Sequence, residues 1–197
     1  MYFKKGEFKE MATTLYYVRH GRAVCNTKDY FYDDSREPLI ALGRAQAADA
    51  GRKLKKAGAR FDAIYCSPYE RAKETCRIAL VEMGLKDYPV QYDSRLTERD
   101  FGELYGRTVS ERHYRELYDY TSERSEIDGV ETLEKLEDRA RWFMHDVRTL
   151  YPDGNVLVFA HGALGLAYRA AVYGRPESGS LFDFELLKNG EIMKLVL

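Results

Sequence analysis

A chain of 197 residues with 45% apolar and 32% charged residues suits one soluble globular domain. Its 31 basic and 32 acidic side chains leave a formal net charge of -1, which argues against a nucleic-acid or membrane-surface binder built on basic excess. Three cysteines (Cys25, Cys66, Cys76) without a C-x-x-C pair suggest neither a disulfide framework nor a zinc knuckle, and no apolar run nears the ~20 residues of a membrane span.

The chain opens on MYFKKGEFKE, whose mixed charge and lack of a long apolar core do not suit a signal peptide. Residues 1–11 read as a loose extension, with Met11 a second plausible start, and 12–197 as a single domain in a reducing, cytoplasmic setting. TLYYV (Thr14–Val18) is β-branched and aromatic, so a short buried strand is expected. A helix follows between Pro38 and Gly58, with Leu42, Ala45, Ala48 and Leu54 on its buried face. FDAIYCS (Phe61–Ser67) is a second strand, and Ser67 is placed to cap a helix that Gly84 stops. PVQYD is a third, weaker strand. Residues of about 103–128 are polar and tyrosine-rich, with a short helix around Ser110–Tyr118, and read as a small cap insertion over one end of the sheet. The amphipathic stretch TLEKLEDRARWFMHDVRTLY places Leu133, Leu136, Ala140, Phe143 and Val147 on one face, with Trp142 also read as core. NVLVFAHG is a strand apolar on both faces, followed by a helix over Ala163–Tyr173. SLFDFELL and EIMKLVL flank Asn189-Gly190, a hairpin signal. The alternation implies an α/β three-layer sandwich: a mostly parallel central sheet, helices on both faces and antiparallel pairing at one edge.

In an open α/β sheet, ligands bind beyond the carboxyl ends of the strands. Arg19-His20-Gly21, Ser67-Pro68 with Arg71 one turn later, and Ala160-His161-Gly162 all fall there. Helix N-termini after Gly21, Ser67 and Gly162 would add N–H donors. Two arginines, two histidines and these donors suit a tetrahedral oxyanion, most simply a phosphoryl group. Each residue alone also fits a structural role as an ion-pair or strand-end partner. Cys25 reads as a packed thiol.

VRHGRAVCN, SPYERAKET, RLTERDFGELYG and VFAHG together resemble the four signatures of the histidine phosphatase superfamily, the phosphoglycerate mutase-like proteins, over about Leu15 to Leu197. The family fold is an α/β sandwich. The resemblance implies His20 as the nucleophile that is transiently phosphorylated, Arg19 and Arg71 as phosphate-binding arginines, and His161 as the second phosphate-pocket histidine. It also implies Glu98 as proton donor and Asn26 on the phosphate side of the pocket, beside Gly162. Asp100 and Glu103 remain alternatives for the acid. Members usually carry Glu or Gln where this chain has Arg22, so Arg22 is a candidate for added positive charge near the rim.

The chemistry also stands on the residues. Neutral imidazole is a nucleophile near neutral pH, with an ordinary pKa of ~6.5. Arg19, Arg71 and a protonated His161 would supply positive charge, so neither metal nor cofactor is expected. As an acid, Glu98 would need its proton held by desolvation beneath the tyrosine-rich segment. In the family it resembles, bisphosphoglycerate-dependent mutases carry a longer insertion rich in arginine and proline; the stretch between Gly106 and Gly129 here is short and lacks proline and paired arginines, so the resemblance implies a phosphomonoesterase, expected to be metal-independent. A bisphosphoglycerate-dependent phosphoglycerate mutase and a catalytically silent phospho-ligand-binding module are the alternatives. The expected partner is a small phosphorylated metabolite, with oligomeric state open. Tyr105, Tyr114, Tyr118 and Tyr120, with Arg112, Arg115 and Arg124, are candidates to meet the rest of it.

Overall fold

The computed structural model describes residues 12–28, 30–31, 35–108, 110–122 and 129–197. The expected N-terminal extension, Arg124 and the last residues of the cap insertion therefore lie outside the described residues. Five strands form one sheet in the order β3-β2-β4-β1-β5. These are β1 (Thr14–Arg19), β2 (Ala63–Cys66), β3 (Val90–Tyr92), β4 (Asn155–Ala160) and β5 (Ile192–Val196). β1 through β4 run parallel, and β5 pairs antiparallel with β1 at the edge. The register matches Arg19 with Ala160 and Cys66 with Phe159. His20, Ser67 and His161 consequently leave the sheet at one level.

Alternation along the strands sorts side chains into two cores. Val18, Ile64, Leu157 and Phe159 face α1 (Ala41–Lys56) and α2 (Glu70–Met83), meeting Ala50, Leu54, Cys76 and Leu80. Leu15, Tyr17, Val156 and Val158 face α4 (Leu133–Leu150) and α5 (Gly162–Tyr173), meeting Leu136, Phe143 and Leu166. The three-layer α/β reading holds. The cap contributes a 3-10 turn at Gly102–Leu104 and a short helix α3 (Glu111–Glu116), capped by Ser110.

Several local expectations give way to packing. The segment before Asn189-Gly190 is a 3-10 turn at Leu181–Asp183 rather than a hairpin arm, because β5 finds its partner in β1. The buried face of α1 is Gly43, Ala47, Ala50, Gly51 and Leu54, while Leu42 and Ala45 are exposed. Glycine sets that face: a Cβ on Gly21 would sit 2.2 Å from the Gly43 carbonyl oxygen, so β1's exit lies directly against α1. Trp142 is 64% exposed, since one helical step from Phe143 turns it toward solvent. Ser67 does not begin α2; Tyr69 does, without a side-chain cap. After Gly21 the chain forms a 3-10 turn, Val24–Thr27, so no α-helix N-terminus stands there.

Candidate active site

His20 is buried just past β1. Its Nδ1 lies 2.7 Å from the Gly21 carbonyl oxygen, which can only accept. Nδ1 therefore carries the ring proton, and Nε2 keeps a lone pair for attack. The turn at Asn189-Gly190 fixes this end of β1 from the other side. Asn189 Nδ2 donates to the His20 carbonyl (3.1 Å), and the Gly190 N–H donates to the Arg19 carbonyl (3.0 Å).

His161, at the end of β4, is fully buried with its ring centroid 5.1 Å from that of His20. Its Nε2 pairs with Ser67 Oγ at 2.8 Å, and the Tyr17 hydroxyl donates to its carbonyl at 2.7 Å. Its Nδ1 is buried without a hydrogen-bond partner among the described residues, as is Arg19 Nε. Arg19 reaches the Leu187 carbonyl through Nη1 and packs on the α5 start, where a Gly162 Cβ would come 3.0 Å from its Cζ. Arg71 is buried over the Tyr69 ring, 4.9 Å from its centroid.

Burial holds both histidine pKa values well below 6.5, and the Arg71 charge pushes the same way, with Arg19 adding to it at His20 and the two rings' mutual proximity adding to it at His161. In the free site both rings are neutral. That suits His20 as a nucleophile, and without a bound phosphoryl group it runs against the protonated His161 expected for charge stabilisation, because burial and the nearby guanidinium groups oppose a further positive charge.

Glu98 also departs from expectation. Its carboxylate accepts from the N–H groups of Gly162 (3.1 Å), Ala163 (3.1 Å) and Leu164 (3.3 Å), the first turn of α5. It occupies an anion position at a helix N-terminus while bordering the cavity that Tyr114 and Tyr118 also line. Its backbone is held by Arg139, which donates to the carbonyls of Arg95 (2.7 Å), Thr97 (2.7 Å) and Glu98 (3.1 Å) while clasping Glu131. Nothing in the spacing flagged Arg139, Glu131 or Asn189, which act only through the fold. Ser67 was legible, but as a cap.

A cavity of about 450 Å³ opens over His20, lined by Arg19, Arg71, Asn26, Glu98 and Gly162 on one side and by aromatic rings on the other. Asn26 Oδ1 accepts from the Ala23 N–H and from Asn189, leaving its amide NH₂ as the donor. Arg22 does not line this cavity: the Gly21–Gly43 contact turns the chain, and its guanidinium reaches the Asn26 carbonyl at 3.4 Å. Asp100 and Glu103 are outside it, whereas Glu111, unflagged by sequence, is at its wall. Arg112 and Arg115 are exposed and paired with Glu116 and Glu111, so neither faces the cavity.

A model of the histidine phosphatase superfamily (branch 1) matches residues 15–197. The chain belongs to this superfamily. Among histidine phosphatase relatives, the 2,3-bisphosphoglycerate-dependent phosphoglycerate mutase of Bartonella quintana is 41% identical over 96 residues, 49% of this chain and 47% of that one. The enzyme of the same name in Nitrobacter hamburgensis is 42% identical over 92 residues, 47% and 44% of the two chains. The match thus spans about half the length of these curated relatives. A solved mycobacterial glucosyl-3-phosphoglycerate phosphatase superposes with a TM-score of 0.78 over 94% of this chain and 90% of that one, at 24% identity. A phosphoglycerate mutase from Bacillus anthracis gives 0.74 over 95% and 88%, at 22% identity. At these identities the likeness is one of fold, and phosphatases and mutases share it.

Two expected results follow from this histidine phosphatase site. In the unfolded chain His20 and His161 take up protons as pH falls through ~6.5, while in the folded chain they resist until lower pH. The unfolded state then binds more protons, so stability is lost as pH drops below that value. Thermal melts from pH 7 to pH 5 should show a falling midpoint, with a shallower dependence in His161→Asn. For Arg139→Met, loss of the grip on the Glu98 backbone should slow turnover about 10²-fold. Pre-steady-state kinetics should show the first step slowed more for alkyl phosphates than for p-nitrophenyl phosphate, because the damage passes through Glu98.

Proposed function

We propose that the protein is a metal-independent phosphomonoesterase acting through a phosphohistidine at His20. The observation that supports this most is the buried lone pair of His20 Nε2 set beside two buried, unpartnered nitrogens, Arg19 Nε and His161 Nδ1. Nε2 attacks phosphorus, the phosphorus–alkoxide bond breaks, and the alkoxide takes a proton from Glu98. Water then attacks the phosphohistidine, giving its proton to Glu98 and returning His20 neutral. Arg19 and Arg71 stabilise the charge on the phosphoryl oxygens.

The position of Glu98 fits such a cycle. Its carboxyl stands at the N-terminus of α5 and borders the same cavity as His20, within the space a bound ester would occupy.

Mutase chemistry is the second reading, motivated by the identity to phosphoglycerate mutases over half the chain. A phosphoglycerate carboxylate needs a cation beyond the phosphate pocket. Arg112 and Arg115 are exposed and paired outside the cavity, which favours hydrolysis, while Arg99 borders the cavity, donates from Nε and Nη1 to the Glu131 and Leu117 carbonyls, and keeps Nη2 without a hydrogen-bond partner among the described residues as the position such a carboxylate would use. The deciding experiment follows inorganic phosphate release from a phosphoester panel, with and without 2,3-bisphosphoglycerate and EDTA. Release that needs neither the bisphosphate nor a divalent metal is expected. Interconversion of phosphoglycerates dependent on 2,3-bisphosphoglycerate, with little phosphate released, would overturn the proposal.

A further inference from the structure

The cavity wall opposite the phosphate pocket is a closed circuit of four rings. Phe31 lies 4.5 Å from Phe101 and 5.9 Å from Tyr114; Tyr118 lies 5.2 Å from Tyr114 and 6.5 Å from Phe101. These residues come from three separate stretches: the loop after β1, the turn after Glu98, and the cap helix α3 with its end. All four border the same cavity as His20 and Glu98. Phe182 backs the wall, 5.0 Å from Tyr118 and 5.8 Å from Tyr114. The Tyr114 and Tyr118 hydroxyls meet at 3.3 Å. Burial raises the pKa of both phenols; at Tyr118 the neighbouring Tyr114 adds to it, at Tyr114 the hydrogen bond with Tyr118 opposes it, and the Glu98 charge adds a smaller upward push at each.

From this arrangement we infer that the alcohol released by the enzyme carries a flat, largely apolar group, such as an aromatic ring. The inference rests on the phosphomonoesterase reading and names its substrate class. Aromatic side chains offer broad apolar faces that favour offset or edge contact with another ring. The paired phenol hydroxyls give a polar edge near Glu98, suited to the ester oxygen side of such a group. Two cations also border the cavity. Arg99 is fully buried between the Phe101 and Tyr118 rings, 5.7 and 5.2 Å from their centroids, and donates to two backbone carbonyls while its Nη2 has no hydrogen-bond partner among the described residues. Lys28 is exposed at the wall.

The test compares esters whose leaving groups are all alcohols, so intrinsic reactivity is roughly matched: benzyl phosphate, glycerol 1-phosphate, O-phosphoserine and 3-phosphoglycerate. Benzyl phosphate should exceed glycerol 1-phosphate in kcat/KM by ~10- to 100-fold, the gain from burying one ring. Tyr114→Leu, at a half-buried position, should narrow that ratio mainly through KM. A preference for O-phosphoserine or 3-phosphoglycerate, or equal kcat/KM across the panel, would overturn the inference and leave the phosphatase reading standing. Binding to the unaltered protein separates the two further: benzylphosphonate should raise the unfolding midpoint more than methylphosphonate at equal concentration. If no ester is hydrolysed, that comparison still decides the wall, while the phosphatase reading falls. Equal shifts from the two phosphonates would count against the wall.

Discussion

His20→Ala should lose turnover of every phosphomonoester by on the order of 10⁴-fold or more, the scale expected when a covalent nucleophile is removed. The argument is geometric. Nδ1 is committed to the Gly21 carbonyl, so Nε2 is the basic nitrogen presented to the cavity, and burial beside Arg19 and Arg71 keeps it unprotonated well below pH 6.5. His161 is not expected to take over the attack, because it is fully buried and, unlike His20, does not line the cavity. The fold should survive, since the strand end is tied through backbone atoms: the His20 N–H to Ala160 (2.9 Å) and its carbonyl to Asn189. Removing a ring that resists protonation should also flatten the loss of stability toward pH 5. Steady-state hydrolysis of p-nitrophenyl phosphate beside a thermal melt checks both. Substantial activity in a well-folded variant would exclude His20 as nucleophile.

Glu98→Gln should divide substrates by leaving group. A general acid contributes ~100- to 10,000-fold, and alkyl phosphates, whose alkoxides need the proton, should slow within that range. p-Nitrophenyl phosphate, with a weakly basic leaving group, should keep a faster first step. Its steady state is governed by the second step, where the same carboxylate would accept the proton from water, so a burst of nitrophenol followed by slow turnover is expected. Glutamine keeps one of the two oxygens that accept from the α5 N–H groups while removing the titratable group, so a thermal melt is run beside the kinetics. Equal slowing of both substrates without a burst would point to another acid, and Glu111, a further carboxylate at the cavity wall, is the first to test.

Much of the fold was legible because strands and helices carry their own periodicity. β4 reads as continuous apolar sequence and is central; the Leu133–Val147 stripe faces the core as its spacing requires. The errors arise where tertiary contact outweighs local pattern. Asn189-Gly190 is a strong turn, yet it serves to brace β1 and Asn26 rather than to join two paired strands. On α1 the apolar residues Leu42 and Ala45 yield the buried face to one that includes Gly43 and Gly51, because the chain leaving β1 at Arg22 and the backbone of α2 at Ala79 approach more closely than side chains permit. In the site, chemistry-bearing residues at strand ends were visible, since the topology of a parallel sheet gathers them. Residues that act through backbone carbonyls, such as Arg139, leave no local pattern. The state of Glu98 was invisible as well: only the folded chain brings it to the N-terminus of α5.

The covalent intermediate offers the most direct test of the account. Protein mixed with a phosphoester and quenched in base during the first turnovers, where phosphohistidine survives, should gain the mass of one phosphoryl group. Peptide mapping should place it on His20, and the modified fraction should rise in Glu98→Gln as dephosphorylation slows. Continued phosphate release with no phosphoryl group on His20, or with one on a different residue, would contradict it.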